Sequence, residues 1–247
     1  MLSQHTETKE VTMSKADRIA KEYEEFVYIV SHDLSAPIRH IKEFTKLLLE
    51  SREADFNDNE KQYKEFIDSS FEKLDKMQAA LLTLSRINTE ASPFYETVES
   101  QVLIDAALSE LEKTYPSCAQ SVSCKDLPSI TVNPVQFTTV FKAIIDNALK
   151  FHPTPKTAAV TILATKNKNG TQFEICDNGI GIDLKYTTDV FNIFRRLHPD
   201  NRYDGIGIGL ALSKKIVEKH SGTIWIEPNK DQGISVFLTV PDHIAPL

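Results

Sequence analysis

Four stretches of the chain carry side chains whose types and spacing suit phosphate chemistry. In FVYIVSHDLSAPIR, His32 is followed at once by Asp33, and Pro37 stands five residues after the histidine. A neutral imidazole nitrogen can attack phosphorus, and a carboxylate one position along can hold the opposite ring N–H and stabilise the charge that develops. In VFKAIIDNALKF, the residues Asn147, Lys150 and Phe151 share about one helical turn, which gathers a metal or phosphate ligand, a cation and an aromatic plate. In CDNGIGI, Asp177 and Gly179 belong to an Asp-Asn-Gly tripeptide that by itself reads as a tight turn. Gly181, between apolar neighbours, adds a point where backbone can approach a ligand closely. In GIGIGLAL, Gly205, Gly207, Gly209 and Leu210 lead into a helix, whose free N-terminal N–H groups and dipole favour phosphate.

Two other readings of these glycines fail. A dinucleotide fingerprint needs a preceding strand and a further glycine where the chain has Leu210. A P-loop needs Gly-Lys, and the chain contains no such pair. Between the glycine stretches lies VFNIFRRLHPDNRYD, in which Phe191 and Phe194 read as packing residues of a short helix. Arg195 and Arg196 are candidate phosphate clamps, and His198 to Asp204, polar and proline-containing, is a candidate cover for the site.

Long helices must carry His32. From Ser14, an N-cap residue type, apolar side chains recur at Ile19, Tyr23, Phe26, Val30, Leu34, Pro37, Ile41, Phe44 and Leu48. The steps alternate four and three except for two successive fours around Val30 and Leu34, a stutter that locally unwinds a coiled-coil seam. Pro37 follows and predicts a kink. His32 lies at the stutter, turned away from the seam. EADFNDNE closes this helix, and a second one repeats at Tyr63, Ile67, Ser70, Leu74, Met77, Leu81 and Leu84. Each helix would run about 35 residues, or about 50 Å. A hairpin of two such helices leaves apolar surface over, which predicts a homodimer paired as a four-helix bundle.

Ala91-Ser92-Pro93 breaks the helical pattern and divides the chain into a hairpin over 14–91 and a second domain over 92–247. In the second, helices are predicted at Gln101–Lys113, Val135–Phe151 and about Gly207 to His220. Strands are predicted at Ile130–Val132, Ala158–Thr165, Gln172–Cys176, Thr223–Ile226 and Ser235–Val240, which implies a sheet covered by helices.

Bulk properties narrow the function. With 28 Lys+Arg against 35 Asp+Glu, the chain has no general attraction to nucleic acid or anionic membrane, so a phosphate site must be built locally. No apolar run approaches the ~20 residues of a transmembrane segment, and the first residues show no signal-peptide pattern. Three cysteines, an odd number without metal-ligand spacing, fit a reducing, cytoplasmic setting.

In their order along the chain, these motifs resemble the sensor histidine kinases of two-component systems, with wording closest to the phytochrome-type branch. His32, Asp33 and Pro37 resemble the family's H-box, and Asn147, Lys150 and Phe151 its N-box. Asp177, Gly179 and Gly181 resemble the first glycine box, Phe191 and Phe194 the F-box, and Gly205 to Leu210 the second glycine box. The resemblance implies an α-helical hairpin followed by an α/β sandwich with a mixed sheet, the histidine-kinase-type ATPase fold. It implies ATP and Mg²⁺ as cofactors, with Asn147 as the metal ligand, Lys150 on phosphate, Phe151 lining the adenine site and Asp177 on the adenine amino group. It further implies autophosphorylation of His32, a response-regulator receiver domain as partner, and an upstream sensor outside this chain.

Two positions depart from the family pattern. Ala36 stands where a polar side chain usually orients water for phosphatase activity, and Ala143 stands where the N-box often has a second asparagine. A non-catalytic phosphotransfer or scaffold protein is therefore the alternative. A water-activating ATPase of the gyrase, mismatch-repair or heat-shock kind would have glutamate at position 143, so that reading is set aside.

Overall fold

The computed structural model describes residues 34–52, 56–89, 94–152, 158–197, 203 and 205–242. His32, Asp33, the earlier part of the first helix, the Ala91–Pro93 linker and all of the expected cover except Tyr203 lie outside the described residues. The chain divides into two compact units, Met1–Thr89 and Glu90–Leu247.

In the first unit, helix α1 covers 34–50, running through Pro37, and α2 is Asp58–Thr89. The turn that starts α2 is a reciprocal cap: Asn57 Oδ1 accepts from the Glu60 N–H at 3.0 Å, and Glu60 Oε2 accepts from the Asn57 N–H at 2.9 Å. Each bond satisfies a donor that the helix start leaves over. The face that α1 turns to α2 is not its apolar row. Half-buried positions are Ser35, Ile38, Lys42, Thr45 and Leu49, and Gln78 donates to Ser35 while Lys42 pairs with Asp75. Leu34, Ile41, Phe44 and Leu48 stand 50–71% exposed. The apolar side chains of α1 outnumber what one partner helix can cover, so the regular row remains at the surface of the single chain.

The second unit is a five-stranded mixed sheet with helices packed on its inner face. Strands β1 (Glu96–Glu99) and β3 (Ser129–Val132) form a separate antiparallel pair. The main sheet has order β2-β4-β5-β7-β6, with β2 (Val122–Lys125) parallel to β4 (Val160–Asn167). The remaining neighbours, β5 (Gly170–Asp177), β7 (Ile234–Pro241) and β6 (Ile224–Pro228), pair antiparallel. Strands β1 and β2 were not expected. Each has four residues, and ETVE and VSCK hold too few apolar side chains for a period of two to show.

Register aligns the inner-face side chains in rows, Ile162 with Ile175 and Val236, and Phe173 with Leu238 and Ile224. Against these rows pack α3 (Ser100–Leu111), α4 (Pro134–Lys150) and α5 (Gly209–Lys219), whose buried residues include Ile104, Phe141, Ile144, Ile145 and Ile216. Helix α4 starts where it does because the Asn133 side chain accepts from the Gln136 N–H at 3.1 Å and Pro134 needs no hydrogen bond there. The helix expected at Phe191 and Phe194 is instead two short 3₁₀ turns, Leu184–Tyr186 and Asp189–Phe191. Phe194 lies beyond both with φ of 62°, its N–H bonded to the Gly207 carbonyl at 2.9 Å, so it cannot continue a helix.

His220 closes the core at the end of α5. It is fully buried between Tyr95 and Phe137, with ring centroids at 5.0 and 4.8 Å. Its Nε2 accepts from the Asn133 N–H at 3.1 Å, so its Nδ1 must be the N–H that donates to the Ile216 carbonyl at 2.7 Å. Burial holds its pKa below the ordinary imidazole value, the Lys219 charge adds to this, and the bond to Ile216 opposes it. Because the folded pKa is depressed, the unfolded chain takes up the proton first, and stability falls as pH drops below about 6.5. The expected outcome is a thermal midpoint that declines from pH 7 to pH 5, with a shallower slope in His220→Phe.

No helix among the described residues is long and apolar enough to cross a membrane. The three cysteines are free thiols.

Candidate functional site

The end of β5, the C-terminal half of α4 and the start of α5 enclose a cavity of about 540 Å³. Its walls include Asn147, Lys150, Phe151, Asp177, Gly181, Arg195, Arg196, Gly205, Gly207, Gly209 and Leu210. Every candidate binding residue that the sequence singled out is therefore gathered at one site except Gly179, which stands behind the wall.

Asp177 is the last residue of β5 and is 9% exposed. Its Oδ1 accepts two backbone N–H groups, from Gly179 at 2.8 Å and Ile234 at 3.2 Å. Burial pushes its carboxyl pKa up, and the two N–H groups offset only part of that. Gly179 is required by close approach, since a Cβ there would lie 2.4 Å from the Phe151 carbonyl oxygen. The same oxygen accepts the Ile180 N–H at 2.8 Å, tying this turn to the end of α4. Phe151 in turn donates its own N–H to the Asn147 carbonyl at 3.0 Å.

Two residues that sequence reasoning missed brace Asp177 from the β6–β7 turn. Asn229 Nδ2 donates to the Asp177 carbonyl at 3.0 Å. Gly233 has φ of 86° and sits so close that a Cβ would lie 2.0 Å from that oxygen. The run PNKDQG signals a turn between strands, but nothing in it points to Asp177.

Opposite Asp177, the glycine loop approaches α4. Lys150 Nζ is 3.0 Å from where a Gly205 Cβ would stand, and lies 4.7 Å from the Phe151 ring centroid and 3.9 Å from Asp146. Gly207, at φ of 72°, leaves only 2.5 Å between a would-be Cβ and the Arg195 carbonyl. Gly209 opens α5 with no side chain capping the helix, and its Cβ position is 3.3 Å from the Ala143 Cβ. Uncapped N–H groups on a cavity wall form an anion site. Arg195 pairs with Asp189 at 3.2 Å, and Arg196 donates to the Tyr203 carbonyl at 2.8 Å. Neither expected clamp is therefore free of a protein partner.

A nucleotide fits this set of groups. The buried carboxylate can accept from a base N–H, the aromatic ring can face the base, and glycine backbone, Lys150 and the helix start can take phosphates. Among the described residues no three His, Cys, Asp or Glu side chains converge. A divalent cation here would share its coordination among Asn147, phosphate oxygens and water, as Mg²⁺ commonly does.

Comparison with known proteins agrees with the geometry. Residues 132–244 match the family described as histidine kinase-, DNA gyrase B-, and HSP90-like ATPase. The phytochrome-like protein Cph1 of Synechocystis sp. is 31% identical over 91% of this chain and 30% of its own length. Cyanobacterial phytochrome A of Nostoc sp. is 33% identical over 91% of this chain and 29% of its own length. The chain thus spans less than a third of either relative. In fold, it resembles the full-length structure of ShkA in complex with AMPPNP, with a TM-score of 0.63 and 18% identity over 90% of this chain and 47% of that one.

Proposed function

We propose that the chain belongs to the sensor histidine kinases of two-component systems and that it transfers the γ-phosphoryl group of ATP to His32 and from there to an aspartate of a response-regulator receiver domain. The observation that carries this reading is the single cavity that gathers Asp177, Asn147, Lys150, Phe151 and the uncapped start of α5. Asp177 would accept from the adenine amino group and so select adenine over guanine. Lys150 and the glycine loop would hold phosphates. Asn147 would hold Mg²⁺, whose chemistry is to neutralise charge on the phosphate oxygens.

His32 attacks phosphorus with the lone pair of one ring nitrogen, and the P–O bond to ADP breaks as the N–P bond forms. Asp33 holds the N–H on the other ring nitrogen and stabilises the positive charge that the ring acquires. In the second transfer a carboxylate oxygen of the receiver displaces the ring, which returns to neutral imidazole without net proton exchange. The two units would act as the domains 14–91 and 92–247, the first supplying the acceptor and the second the nucleotide. The exposed row Leu34, Ile41, Phe44 and Leu48 supports pairing of two hairpins as a homodimeric four-helix bundle. A sensor acting upstream would belong to the same pathway.

The test is chemical. Incubation with γ-labelled ATP and Mg²⁺ is expected to leave label on the chain that acid removes and alkali does not. Absence of both label and ATP binding would favour the second reading, a phosphotransfer or scaffold protein with a degenerate ATP site, for which the specific observation is Ala143 in the cavity wall.

Ala36 carries a separate prediction. An alanine methyl cannot orient water, so dephosphorylation of a phosphorylated receiver by this chain is expected to be slow. Ala36→Thr is expected to accelerate it at least severalfold, which release of inorganic phosphate would measure.

A further inference from the structure

Tyr203 is the described residue of the stretch between Leu197 and Gly205, and no motif singles it out. Its ring packs on Phe151 with centroids 4.8 Å apart and planes tilted by 55°. Both rings line the cavity that holds Asp177. Phe151 is a fixed plate, because its own N–H and C=O are both engaged, with Asn147 and Ile180. Tyr203 is held on the other side through its main chain, where the Arg196 guanidinium donates to its carbonyl at 2.8 Å, a charge-assisted bond. Two tilted aromatic rings beside one buried carboxylate make a corner that suits a flat heterocycle bearing an N–H, better than they suit phosphate or a peptide.

We propose that Tyr203 is a base-contacting residue that completes the purine site with Phe151, and that Arg196 is its positioning residue rather than a phosphate clamp. The proposal rests on the nucleotide reading above and assigns a residue that the glycine boxes and N-box leave out. It differs in consequence from a loop that merely covers phosphates. Loss of a base contact weakens ligands that carry the base and spares those that do not.

The experiment is a titration of the whole chain with ATP and with inorganic tripolyphosphate, each in the presence of Mg²⁺, using wild type, Tyr203→Ala, Tyr203→Phe and Arg196→Ala. Tyr203→Ala is expected to weaken ATP about tenfold, the scale of one aromatic–base contact, and to leave tripolyphosphate unchanged. Tyr203→Phe is expected to bind both as wild type does. Arg196→Ala is expected to cost the same factor for ATP, and the double variant no more than either single one. Equal losses for ATP and tripolyphosphate in Tyr203→Ala, or unchanged ATP affinity, would overturn the assignment while the nucleotide reading stands. A wild-type chain that binds no ATP would overturn both.

Discussion

Asp177→Asn is expected to lower ATP affinity about one hundredfold without lowering the thermal midpoint. The substitution keeps the shape of the side chain and the oxygen that accepts from Gly179 and Ile234. What it changes is the second carboxyl oxygen, which becomes an NH₂ where, under the proposed reading, the adenine amino group would donate. A hydrogen bond to a charged group contributes about 1.5–3 kcal/mol, and about 1.4 kcal/mol is a factor of ten. The donor–donor clash moves the loss toward the upper end of that range. Stability should move the other way, because burial raises this carboxyl's pKa, which means the folded state disfavours the charge. Its contribution is present below the unfolded carboxylate pKa and is lost as pH rises through the folded one, so at neutral pH a neutral amide relieves a cost. The same sign governs binding. Wild-type affinity should fall on acidification before an ordinary carboxyl would titrate, so the ratio between wild type and Asp177→Asn shrinks from pH 7.5 to pH 5. Calorimetric titration at both pH values and a thermal melt would measure all three quantities. Wild-type affinity in the variant would remove Asp177 from the base site.

The residues gathered at the cavity were legible because each lies beside a strong local signal. Asn147 to Phe151 end an amphipathic helix, Asp177 ends an apolar strand, and Gly205 to Gly209 precede another helix. What was not legible depends on long-range placement. Asn229 and Gly233 read as hairpin residues, and only the pairing of β7 with β5 brings them against Asp177. Arg196 was read from its charge as a phosphate clamp, and charge alone gave no sign that its guanidinium also meets the carbonyl of Tyr203, seven residues on. The fold shows the same division. Long elements with a clear period, such as α2, α4 and β5, were expected near their observed bounds. The four-residue strands β1 and β2 exist because partners β3 and β4 satisfy their backbone groups, a reason that local sequence does not contain. On α1, periodicity found the apolar row but could not tell which row faces α2, since Ser35 and Lys42 make that contact through polar bonds.

His32→Ala is expected to abolish phosphorylation entirely while leaving ATP binding as it is in wild type. The proposed acceptor and the proposed nucleotide residues belong to different compact units, Met1–Thr89 and Glu90–Leu247, so removing an imidazole from the first takes no group from the cavity in the second. No other residue on the chain combines a histidine, an acid directly after it and a proline five residues on. On the helix expected from the sequence around His32, an alanine would also cost little, because alanine is the best helix former. Loss of label would therefore report on chemistry and not on folding. The most direct test of the account is a side-by-side incubation of wild type and His32→Ala with γ-labelled ATP and Mg²⁺, with nucleotide affinity measured on the same samples. Acid-labile label is expected on the wild type and none on the variant, with equal affinities. Undiminished label on His32→Ala would contradict the assignment of His32 as the acceptor.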